Sequence, residues 1–241
     1  MATAGRALPP SSPFAGDDGS ADPRLTAALE RYRAGRCGVD EVVTALAQGR
    51  VLLPVLAELE VCDVTDAGLH VDKEASSGIV ALRAPDGRTA LPVFSCVATM
   101  QVWAPDVRPM PARVHLAAAS ALQEGWEVMV VDPGGASAVI PRPAVCALAL
   151  GETWRPAVLG GVVRADVRAA VVETVTRVEG VVAGDAVPGR SAEVAAVLSV
   201  RPGLDRTRLD AVLSRVGAAL AADGLVASAV DSLELRVLSG P

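Results

Sequence analysis

Residues 79–103 read IVALRAPDGRTALPVFSCVATMQVW, and the change of period inside this stretch decides the fold class. Residues 79–84 and 88–94 are apolar, β-prone runs on either side of Pro85-Asp86-Gly87. Gly87 is available for a positive φ in that short connection, so a β-hairpin is predicted. Ser95 then stands where it can cap a short helix that ends at Trp103. Adjacent strands that feed a helix point to an α+β protein.

Working toward the N-terminus, 51–57 reads as a buried strand interrupted at Pro54, a residue tolerated in strands mainly at an edge or bulge. Two helices precede it. Leu25, Ala28, Leu29 and Tyr32 follow a permitted first-turn Pro23 at helical spacing, with Gly35 as the stop. A second helix is predicted over 40–48, with Asp40 as cap and Gly49 as the left-handed residue after it. Residues 1–22 carry Pro9, Pro10, Pro13, Gly16, Asp17, Asp18 and Gly19, and read as a flexible tail with too little apolar surface to offset ordering.

Toward the C-terminus, Val114, Ala117, Ala118, Ala121 and Leu122 form a helical stripe closed by Gly125. Residues 126–131 and 136–140 are strands about the turn Asp132-Pro133-Gly134-Gly135, and a helix follows from Pro143 to residue 150. Gly151, Trp154, Pro156 and the Gly160-Gly161 pair mark a connector. Beyond it the expected order is helix, strand, strand, helix and strand: paired strands at 178–187 and 193–200, a helix capped by Asp205 and ended by Gly224, and a last strand over 226–238. The expected organisation is therefore a tail (1–22), an N-terminal domain (23–152), a linker (153–162) and a small C-terminal α/β domain (163–241). Each domain is a small α/β sandwich, a mixed or antiparallel sheet packed with helices.

Composition narrows the chemistry. The 241 residues carry 22 Lys plus Arg against 28 Asp plus Glu, a net charge of -6 without a basic run, which argues against a nucleic-acid surface. Cys37, Cys62, Cys96 and Cys146 show no ligand spacing, and reduced structural thiols are the default. With His70 and His115 as its two histidines, the chain presents no metal motif, and no cofactor is expected. No GxSxG, P-loop or GxGxxG pattern occurs. There is no signal-like leader and no apolar span of membrane length, so a cytoplasmic protein without membrane contact is expected. Cys96, near a helix start, is the most tempting nucleophile, and Glu58, Glu60 and Asp63 are weaker acid–base candidates.

The order Leu52-Leu53-Pro54-Val55, Leu91-Pro92-Val93-Phe94-Ser95, a helix ending at Trp103, and Val130-Val131-Asp132-Pro133-Gly134 resembles the SseB-type family. That family is similar in its Pro-Val-Phe-Thr-Ser/Asp strand-to-helix corner, the Trp closing the next helix, and an Asn-Pro-Gly turn. The resemblance covers residues 25–150, with a weaker likeness of the remainder to the family's smaller C-terminal domain. Ser95-Cys96 stands in place of the hydroxyl pair and Asp132 in place of Asn. The resemblance implies a scaffold role for Pro92, Asp132, Pro133 and Gly134, and no catalytic mechanism.

The function expected on these grounds is a non-enzymatic protein that binds a protein partner through the surface near 94–109. Its candidate contacts are Phe94, Ser95, Trp103 and Pro105, because interfaces anchor on a few aromatic or Arg side chains. At a strand position, core packing is the default for Phe94, whereas Trp103 sits at a helix end. The alternative is an enzyme or small-ligand protein using Cys96 and nearby carboxylates. A homo-oligomer formed through an exposed edge strand of the second domain is a third.

Overall fold

The computed structural model describes residues 13–56, 70–72, 78–83, 87–135 and 137–238. The chain divides into two compact units between Trp154 and Arg155. The first contains α1 (Pro23–Arg33), α2 (Val39–Leu46), β1 (Arg50–Val55), β2 (His70–Asp72), β3 (Ala81–Arg83), β4 (Thr89–Val93), α3 (Val97–Trp103), β5 (Arg108–Arg113), α4 (Val114–Gln123), β6 (Val128–Val131), β7 (Ala138–Ile140) and α5 (Arg142–Leu150). Its five-stranded sheet has the order β2-β3-β4-β6-β7, with β4 and β6 parallel and the other pairs antiparallel. The predicted hairpin is the β3–β4 pair.

Alternation along β4 and β6 builds two cores. Leu91, Val93, Met129 and Val131 face a cluster that includes Leu25 and Leu29 of α1, Val42 and Leu46 of α2, Ala118 of α4 and Val145 of α5. Leu82, Ala90, Val128 and Val130 face the opposite way, where Trp103 packs on them. Asp22 caps α1 by accepting the Arg24 N–H at 2.7 Å, and Gly35 ends it at φ +65°. The residue at the cap position of α2 is Gly38 rather than Asp40, and Gly49 is not left-handed.

β1 bridges this sheet to β5, a strand absent from the sequence reading because its Arg-Pro-Met-Pro-Ala-Arg run breaks the usual pattern. Leu52 exchanges both backbone hydrogen bonds with Phe94, each at 2.9 Å, and the Pro54 carbonyl accepts the Val80 N–H at 3.3 Å. Residues 52 and 54 therefore turn their polar groups away from β5. Their register partners Pro111 and Pro109 are left facing outward, where a missing N–H leaves no ladder bond broken. On that inner side Pro54 accepts from Val80 but has no N–H to return, and β5 presents an edge short of donors.

The second unit contains β8 (Val158–Leu159), β9 (Val162–Val163), α6 (Ala165–Thr176), β10 (Val181–Pro188), β11 (Val194–Val200), α7 (Arg206–Ala222), α8 (Gly224–Ala229) and β12 (Leu233–Leu238). Its sheet runs β10-β11-β12, antiparallel then parallel. Val167, Val171 and Val175 of α6, Val212, Val216 and Leu220 of α7, and Val226 of α8 cover one face of it.

Three expectations change here. The 226–238 segment is not one strand: Asp223 accepts the Leu225 and Val226 N–H groups, each at 3.0 Å, and starts α8 before β12. Most of the expected 153–162 linker belongs to the second unit, since Ala157 is fully buried in its core, and Gly160 and Gly161 turn the β8–β9 hairpin at positive φ. Of the expected tail, 1–12 lies outside the described residues. Residues 13–22 are tied to the first unit, as follows.

Candidate functional site at both ends of α3

β4 delivers Phe94 and Ser95 into the interior, and Cys96, with extended backbone, precedes α3. Across from them, β6 ends at Asp132, which takes φ +49° and is 6% exposed. Asp shares with Asn a short polar side chain that makes this left-handed conformation accessible. Asp132 Oδ1 accepts the Ser95 N–H at 2.8 Å, and Oδ2 accepts the Ser95 hydroxyl at 2.9 Å. Thr99 Oγ1 lies 3.0 Å from Asp132 Oδ1 and 2.9 Å from the Cys96 carbonyl, so its one proton serves two acceptors. Arg33 of α1 reaches Oδ2 at 3.4 Å. The carboxylate therefore spends its lone pairs on its own chain, pinning the β6–β7 turn to the start of α3.

The other end of α3 meets the same turn. Gly134 lies at φ +100°, and a Cβ there would stand 3.3 Å from Trp103 Cδ1. Trp103 also stacks on Phe94, ring centroids 5.3 Å apart and tilted by 43°. A third tie comes from the N-terminal segment. Arg50 donates through Nε and Nη2 to both Asp17 oxygens, at 2.6 and 2.9 Å, through Nη1 to the Ser95 carbonyl at 2.6 Å, and to the Ser20 carbonyl. The Gly19 carbonyl accepts the Val97 N–H at 3.0 Å. The Arg50 hydrogen bond holds the Asp17 carboxyl below its ordinary range against the opposing effect of burial.

Several expected roles move. Ser95 does not cap α3; its hydroxyl belongs to Asp132. Phe94 and Ser95 are 0% and 4% exposed, so neither side chain can form the contact surface expected of them. Trp103 is half-buried and Pro105 is exposed. Val102, which the sequence reading passed over, is 88% exposed on the outer face of α3. Arg33, Arg50 and Thr99 were also missed. They lie far in sequence from most of what they touch, and no linear spacing signals them.

Burial raises the Cys96 thiol, but the Thr99 N–H and hydroxyl, the Ser95 hydroxyl and the Ala98 N–H outweigh it and bring the thiol below its ordinary value. Burial raises Cys37 instead, with Glu41 adding to it. Among the described residues no three His, Cys, Asp or Glu side chains gather as metal ligands. His115 is exposed at the start of α4. The candidates Glu58, Glu60 and Asp63 lie outside the described residues. No described helix is long and apolar enough to cross a membrane.

The family model of the SseB protein N-terminal domain matches residues 25–147, from α1 into α5. The chain belongs to the SseB family. Within this SseB N-terminal domain the residues that carried the resemblance converge: Asp132 grips the start of α3, Gly134 supports Trp103 at its end, and Phe94 packs beneath. No curated protein and no solved structure matches the chain.

Proposed function

We propose that this SseB-family protein is a non-enzymatic, cytoplasmic protein-binding protein whose contact face is the outer side and C-terminal end of α3. The observation that carries this reading is Val102, 88% exposed beside half-buried Trp103 and exposed Pro105, on a helix fixed at both ends. Pre-organised apolar anchors of this kind lower the ordering cost of association. The Asp132 network supports the same reading, because its acceptors are engaged in fixing the start of α3. The test is affinity capture from lysate with wild type and Val102→Asp, a change on exposed surface that leaves the Trp103 packing in place. A partner retained by wild type and lost by the folded variant is expected. Equal retention by both proteins overturns the face.

A second reading, a thiol-dependent enzyme or small-ligand protein, rests on the lowered Cys96 thiol. It requires alkylation of Cys96 by iodoacetamide with a pH midpoint below that of an ordinary cysteine, lost in Cys96→Ser. A midpoint at or above the ordinary one removes it.

A further inference from the structure

The sheets guard some of their edges. In the first unit β5 is short of outward donors at Pro109 and Pro111. In the second unit the C-terminal half of β10 is guarded in another way. Gly189 N–H donates to the Glu193 carbonyl, so residues 183, 185 and 187 of β10 bond to β11 and residues 184, 186 and 188 face outward. Of these, Pro188 has no N–H, and the Ala186 N–H donates to Asp185 Oδ1 at 2.7 Å. Arg168 then grips both Asp185 oxygens, at 2.6 and 2.9 Å. Devices of this sort keep an edge from recruiting another strand.

β12, Leu-Glu-Leu-Arg-Val-Leu, has no such device. The Val194 N–H donates to the Ser232 carbonyl, which assigns even-numbered residues of β12 to β11. The N–H and C=O groups of Leu233, Leu235 and Val237 face away from the sheet, and β12 is its terminal strand. No Pro, bulge or side-chain acceptor covers them among the described residues.

We propose that β12 pairs antiparallel with β12 of a second copy of this chain, centred on Leu235, joining two three-stranded sheets into one. Charge selects both the occupant and the register. Centred on Leu235, Leu233 faces the second copy's Val237 and Leu235 faces itself, as hydrogen-bonded pairs exchanging about six N–H···O bonds. Glu234 then stands directly opposite the second copy's Arg236, and Arg236 opposite its Glu234, in the closely spaced non-hydrogen-bonded positions. Centring on 234 sets Glu against Glu, and centring on 236 sets Arg against Arg. Leu233 and Leu235 lie against the helical core, so the paired strands carry the two cores toward each other. Glu234 is already oriented by the Arg190 and Ser191 N–H groups, each at 3.0 Å, and by Arg236 Nε at 2.7 Å.

The test is sedimentation equilibrium of the full chain. A species of twice the 24.5 kDa chain mass is expected. Arg236→Glu alone and Glu234→Arg alone set like charges against each other, and each is expected to weaken the dimer by about tenfold or more. Mixing the two variants restores opposite charges at both positions, so an equimolar mixture is expected to dimerise again, which also shows that each variant is folded. Wild type that remains monomeric overturns the proposal. So does a dimer indifferent to Arg236→Glu, which places the interface elsewhere, or a monomer with slow amide exchange at Leu233, Leu235 and Val237, which gives the edge another occupant.

Discussion

Asp132 combines a left-handed backbone with a buried carboxylate that serves Ser95, Thr99 and Arg33. Asp132→Ala strands the buried Ser95 N–H and hydroxyl, and is expected to destabilise the first unit by about 2–4 kcal/mol. Asp132→Asn keeps the turn and part of the acceptor set, and is expected to lose less. Urea unfolding followed by tryptophan fluorescence checks both, because all three tryptophans lie in the first unit. Two glutamates of the second unit respond to pH in opposite senses. Glu234 accepts from the Ser191 hydroxyl, the Arg190 and Ser191 N–H groups and Arg236, which lower it to about 2. Its stabilisation is full above the ordinary carboxylate value and is lost as pH falls toward about 2. Glu193 is raised by burial, although the Asp231 and Ala157 N–H groups donate to it. Its contribution is full at acid pH and is lost as pH rises through its folded value. Carboxyl-carbon NMR titration is expected to give a midpoint near about 2 for Glu234 and one above the ordinary value for Glu193.

At the scale of elements, the approach of α6 to β10 depends on a missing side chain. A Cβ at Gly184 would lie 2.2 Å from Val175 Cγ2, and Val175 is fully buried. Gly184→Ala is expected to cost about 1–3 kcal/mol through overpacking. In a Val175→Ala background the same change is expected to cost less, since the obstructing methyl is gone. A double-mutant cycle read by circular dichroism in urea checks that coupling. The elements that escaped the sequence reading share one cause. β5 carries two prolines that are harmless only because β1 bonds its other side. α8 is separated from a strand-like reading of 226–238 only by Asp223, whose carboxylate also accepts the Thr174 hydroxyl at 2.8 Å.

At the scale of the whole molecule, the two units hold separate buried clusters, with no residue shared between them. Asp132→Ala is therefore expected to shift the fluorescence-detected transition while leaving the second unit's midpoint unchanged, and Val175→Ala to do the reverse. A single coincident transition in both variants would contradict independent unfolding.

The sequence alone determined the α+β class, the β3–β4 hairpin, the helices carrying Leu25, Val114 and Leu209, the helix end at Trp103, and membership of the family. Those features follow from periodicity, turn residues and caps, which act over a few neighbouring positions. Only the tertiary structure decided that Ser95 serves Asp132 and not α3, that Arg50 fastens Asp17 and Gly19 follows it onto α3, that Phe94 is buried beneath α3 while Val102 is exposed on its outer face, and that β12 is the terminal strand of its sheet. Each of these depends on which distant group fills a hydrogen-bonding or packing position, and local spacing carries no record of that choice.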